Sequence, residues 1–130
     1  MILIILTETN TIIKQVLDIQ QTTILICQDF ELDTPFGGQG YSKEQIRNWL
    51  ADAIARMMHE DMERLLWILY RLDIDEKKAV IAMSLSEAPD LALADLVIAR
   101  ELQKVHSRRA YKKWQENQPN RDETGEIEPW

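Results

Sequence analysis

One cysteine, four glycines, four prolines and two histidines in 130 residues leave little material for several kinds of chemistry. With Cys27 alone, no internal disulfide can form and no thiolate cluster can be assembled, a usage that suits a reducing cytoplasm. Long apolar runs are missing too. Met1–Leu6 and Leu65–Tyr70 are the longest, far below the roughly 18 consecutive apolar residues of a membrane span. "MILIIL" has no positive region before it and no small-residue cleavage site after it, so it does not read as a signal peptide, and the cytoplasm is the expected location. An excess of base is also lacking. A net charge of -7 argues against broad nucleic-acid binding by the whole protein, because phosphate binding is driven mostly by Lys and Arg.

What is present fits one helical domain. With 45% hydrophobic and 28% charged residues, a chain of this length can bury a single core. From Tyr41 onward the helix punctuation is clear. Ser42 and Gln45 have the spacing of a capping box, and Ile46, Trp49, Leu50, Ala53, Ile54 and Met57 follow at intervals of three and four, with Arg47, Asp52 and Arg56 on the other side. Asp61 can cap a second helix with Glu63 in its first turn, and Asp75 a third whose apolar side is Ala79, Val80, Met83 and Ala82. Pro89 suits the first turn of a long helix running to about Trp114. The expected architecture is therefore mainly α: a compact bundle of four or more helices over residues 42–114, preceded by a loop at 34–41. Before it lies an arm, residues 1–33, in which "MILIIL" and "TTILIC" look like short buried strands while Ile12, Ile13, Val16 and Leu17 repeat like a helix. Residues 115–130 are polar and acidic and are expected to form a disordered tail.

The run Leu65–Tyr70 has more apolar residues than one helix face can use. At 100° per residue, Met62, Leu65, Leu66, Leu69, Tyr70 and Leu72 gather on one broad face and Trp67 and Ile68 fall on the other. A central helix packed on several sides explains this, with Trp67 in the core. The alternative is a contact patch for another chain made of Trp67 and Ile68 flanked by Arg64 and Arg71, since aromatics ringed by arginine are common binding hot spots.

A second feature is basic. Between Ala99 and Trp114 six bases, Arg100, Lys104, Arg108, Arg109, Lys112 and Lys113, meet one acid, Glu101. This +5 segment leaves -12 for the rest of a chain at -7. The apolar stripe Leu91, Ala94, Ile98, Leu102 and Val105 stops there, so the last turns should leave the body of the protein. A projecting basic helix with Tyr111 and Trp114 can bind anions or nucleic-acid backbones. It can equally be a solvated face that offsets the acidic remainder.

Catalytic signatures are not found. His59 with Glu60, Asp61 and Glu63 lacks the spacings that put two metal ligands on one helix face. "DIDE" begins like a calcium loop, but the sixth and twelfth positions are Lys78 and Ser84 rather than Gly and Glu. "GGQG" has no following Lys and Ser or Thr for a phosphate loop, and nothing pairs Cys27 with a base. "DETGE", Asp122–Glu126, looks like the acidic turn read by a kelch-propeller adaptor, but is too short to set it apart from coincidence. No catalytic, metal or cofactor residues are expected, and the chain reads as non-enzymatic.

"QDFEL", "HEDMERLLWILYRLDIDEKK" and "ADLVIARELQKVHSRRAYKK" resemble a group of small uncharacterised bacterial proteins, chiefly from the Bacteroidetes, over about Gln28 to Trp114. The resemblance implies a compact helical protein of a bacterial cytoplasm and brings no activity with it. The expected role is that of a small acidic cytosolic interaction or regulatory protein, engaging a protein partner or a second copy of itself. A nucleic-acid accessory role for the basic helix and an enzyme with a site assembled from distant residues are the alternatives.

Overall fold

The computed structural model describes residues 2–33 and 42–118. These form five helices: α1 (Ile2–Phe30), α2 (Lys43–Glu60), α3 (Met62–Arg71), α4 (Glu76–Leu85) and α5 (Pro89–Glu116). The mainly α bundle expected from the periodicity is what the chain adopts. The arm left open between strand and helix is a helix of 29 residues. Both "ILIIL" and "TTILIC" belong to it, so their apolar runs are not strands. The loop expected at 34–41, and the tail beyond Gln118 with its "DETGE" turn, lie outside the described residues, but Gln115 and Glu116, expected in the disordered tail, are the last residues of α5.

Local chemistry sets the helix starts. The Ser42 hydroxyl accepts from the Gln45 N–H at 3.1 Å while the Gln45 side chain accepts from the Ser42 N–H at 2.8 Å, so the capping box satisfies two otherwise orphaned donors at the head of α2. Asp61 receives the Arg64 N–H at 3.1 Å and Asp75 the Lys77 N–H at 3.0 Å, starting α3 and α4. Pro89 opens α5 from its first turn.

Scarcity of glycine shows at the helix ends. α1 and α3 both close with a residue in the left-handed region, Glu31 (φ 53°) and Asp73 (φ 60°). In each the next N–H reaches back five residues, Leu32 to the Cys27 carbonyl at 3.0 Å and Ile74 to the Leu69 carbonyl at 3.2 Å. This is the helix-terminating geometry in which glycine is favoured, carried out here by side chains with a Cβ.

α5 is the axis of the bundle. As α2 proceeds from Lys43 to Arg47, its neighbours on α5 run back from Leu102 to Asp95, so the two are antiparallel. α1 is antiparallel to α5 as well, with Asp18 beside Arg109 and Asp29 beside Glu101. α4 lies along another side, and α3 is packed on α2. The core between them holds Ile26 and Phe30 of α1, Ile46, Leu50 and Ile54 of α2, and Leu65, Ile68 and Leu69 of α3. α4 adds Ala79 and Ala82, and α5 adds Leu93, Ala94, Val97 and Ile98. Val80, expected on the inner side of α4, is half exposed. The small Ala79 and Ala82 are what let α4 lie close to α5.

Past Val105 no residue of α5 up to Asn117 is buried, as expected from the end of its apolar stripe. Among the described residues, no helix is long and apolar enough to cross a membrane.

Candidate functional site

α3 has only ten residues, and its two sides differ sharply. Leu65, Ile68, Leu69 and, just past its end, Leu72 are buried, a spacing of three, four and seven that makes one inner stripe. The outer side carries Met62, Leu66, Trp67 and Tyr70, with Leu66 46%, Trp67 55% and Tyr70 83% exposed. The inner face is thus rotated by roughly 60° from the expected one, drawn through Met62, Leu65, Leu66, Leu69, Tyr70 and Leu72. Ile68 is 3% exposed and belongs to the core, which removes it from the expected contact patch. The reason is packing: a helix this short can bury one stripe only, and the stripe containing Ile68 brings four aliphatic side chains to α2 and α5 without burying the Tyr70 hydroxyl.

The other three patch residues stay at the surface in defined positions. The Arg71 guanidinium lies over the Trp67 ring at 4.9 Å from its centre, holding the indole in place by a cation–π contact. Arg64 donates to the Phe30 carbonyl at 3.3 Å and to the Glu31 carboxylate at 3.0 Å, tying α3 to the end of α1. The outer face therefore presents aliphatic Leu66, the Trp67 ring with its bound guanidinium, and Tyr70.

Beneath Arg71 lies a small cavity of about 90 Å³ lined by Asp29, Ile68, Arg71, Leu72 and Lys104. Glu101, fully buried on α5, stands beside it in the sequence of contacts from Asp29 to Lys104. Its Oε1 accepts from Lys104 Nζ at 3.2 Å, while Oε2 is buried and receives no donor hydrogen bond. Burial first, and then the neighbouring Asp29 carboxyl, push Glu101 up to about 7, with Lys104 pulling the other way. Nothing in the sequence singled out Glu101 beyond its being the one acid in a basic segment, although it continues the inner stripe Ala94, Val97, Ile98.

The six bases of that segment do not act together. Arg100 donates to the Leu72 carbonyl at 3.0 Å, at the end of α3, and lies 3.8 Å from Asp73. Lys104 is held by Glu101, and Arg109 forms an ion pair with Asp18, which also meets His106 at 3.0 Å. Arg100 and Arg109 thus stitch α5 to its neighbours, while Lys104 is spent within α5 on Glu101. Arg108, Lys112 and Lys113 remain exposed on the projecting turns. Tyr111 and Trp114 stack on each other with ring centres 5.8 Å apart.

Among the described residues no group of three or more His, Cys, Asp or Glu could hold a metal ion. The Cys27 thiol is pushed up by burial and then by Asp33, which disfavours the nucleophilic thiolate. A polar cleft of about 360 Å³ between α4 and α5 is lined by Asp73, Asp75, Lys78, Arg100, Gln103 and three apolar residues, and neither histidine reaches it. Comparison with protein-family models, curated proteins and solved structures finds no match, and so nothing there bears on the bacterial resemblance of Gln28–Trp114.

Proposed function

We propose that this is a non-enzymatic interaction protein that docks a protein partner on the outer face of α3. The observation that carries the reading is the exposed set Leu66, Trp67 and Tyr70 on a short helix whose inner stripe is already filled. Large side chains held rigidly outward lose little freedom on binding, and Trp, Tyr and Arg are the residues on which binding energy concentrates. The fitting partner offers an apolar segment to lie across Leu66 and Tyr70 and a carboxylate to meet Arg71 beside Trp67. Half of the basic segment is committed to internal contacts, so the nucleic-acid alternative has fewer charges to draw on than the sequence suggests. The same reading places the protein in a bacterial cytoplasm, supported by its single free thiol and by the resemblance of its central segments to small bacterial proteins.

The test is a photo-crosslinking residue in place of Tyr70, used in cells, with the adduct identified by mass spectrometry and the purified partner then titrated. Binding should weaken at least about 30-fold for Trp67→Asp, the scale of a hot-spot loss. A partner that binds the Trp67→Asp protein as tightly as the wild type would sink the proposal.

A further inference from the structure

α1 has a second apolar face that the bundle does not use. Its buried residues Asp18, Thr22, Thr23, Ile26 and Phe30 turn toward the other helices. On the far side Ile13, Leu17 and Ile24 are each about half exposed, with Gln20 between them. Ile13, Leu17, Gln20 and Ile24 are spaced four, three and four, the repeat of a coiled-coil seam. Helix geometry alone puts these four within about 60° of one another and about 150° from the centre of the buried face.

We infer that this face is a seam on which a second copy of the chain pairs, α1 against α1. Three observations select that occupant. The seam is uncharged in a chain carrying 22 acids, so two copies can meet there without like charges facing each other. The nearest acids of α1 are already engaged, Asp18 by Arg109 and His106 and Asp29 by Glu101. An isologous contact also needs a patch complementary to itself, which a repeat of aliphatic residues at seam spacing is. Length is sufficient as well. A 29-residue helix is about 43 Å long, and two laid side by side bury on the order of 1,000 Å², the scale of a specific contact. The pairing is independent of the docking role assigned to α3, and a dimer would present that face twice.

Sedimentation equilibrium on the full chain tests this. The wild type should have twice the monomer mass of 15.2 kDa at about 50 µM, a concentration suited to dimers of this contact size. Leu17→Glu and Ile24→Glu should each be monomeric with unchanged helical circular dichroism, while Gln21→Glu, off the seam, stays dimeric. Should the glutamate variants unfold, Leu17→Ala is mild enough to keep the fold and should weaken dimerisation at least tenfold. A monomeric wild type overturns the inference, as does a dimer that survives the Leu17 variants or is dissociated by Trp67→Asp instead, which would put the contact on α3.

Discussion

Glu101 on α5 is buried against the carboxyl of Asp29 on α1, and that pairing makes the bundle sensitive to pH. The folded state holds the Glu101 proton up to about pH 7, whereas the unfolded chain releases it near 4.5. Between those values the fold binds more protons than the unfolded chain, so stability must fall as pH rises.

The expected outcome is a melting temperature that, through this group, is highest below about pH 4.5, declines as pH approaches 7 and levels off above it. Glu101→Gln, which stays neutral and can still bond Asp29, should flatten the decline. Thermal melts of both proteins from pH 5 to 8 check this. Parallel curves would show that Glu101 is not the titrating group.

α3 makes the clearest contrast between neighbours. Ile68 fills the core and Trp67 does not. Ile68→Ala should cost about 2–4 kcal/mol, the range for deleting a buried aliphatic side chain. Trp67→Ala should change stability by less than about 1 kcal/mol, since it loses mainly a surface cation–π contact. Urea unfolding of the two variants decides it. Comparable losses would mean that the indole is a core residue after all.

Sequence periodicity located most of this fold because the signals were local. Ser42 and Gln45 cap α2 through their own backbone, and Asp61, Asp75 and Pro89 act within one turn of themselves. The arm was ambiguous for a physical reason: α1 is apolar on two sides, and a β-branched run such as "ILIIL" suits either strand or helix until its partners are known. The rotation of α3 was hidden in the same way, because Leu65–Tyr70 supplies apolar residues in every direction and only the neighbouring helices choose among them. Glu101 was illegible because its burial depends on Asp29 and Lys104, one of them 72 positions away. Charge counting likewise could not tell that Arg100 and Arg109 serve other helices and that Lys104 is held by Glu101.

At the end of α1, Glu31 takes a left-handed conformation that costs a residue with a Cβ more than it costs glycine. Glu31→Gly removes that cost and gives up only the ion pair with Arg64, in which the Glu31 side chain is 80% exposed. Stability should therefore rise by about 0.5–1 kcal/mol, less the extra freedom glycine gives the unfolded chain. Chemical unfolding measures this directly. A loss instead would mean that the Glu31 carboxylate is needed to hold Arg64 over the end of α1.

The projecting turns of α5 set a limit on nucleic-acid binding. Arg108, Lys112 and Lys113 are exposed, whereas Arg100, Lys104 and Arg109 are engaged with other parts of the chain. Three phosphates neutralised by three bases give a log-log salt slope of about -2 to -3, against about -4 to -5 if the whole segment acted. With the rest of the chain strongly acidic, fluorescence anisotropy should find no binding to single-stranded DNA at about 150 mM salt, where screening is physiological. Micromolar binding there, with the steeper slope, would require Asp18 and Glu101 to release their partners and would return the basic helix to the centre of the function.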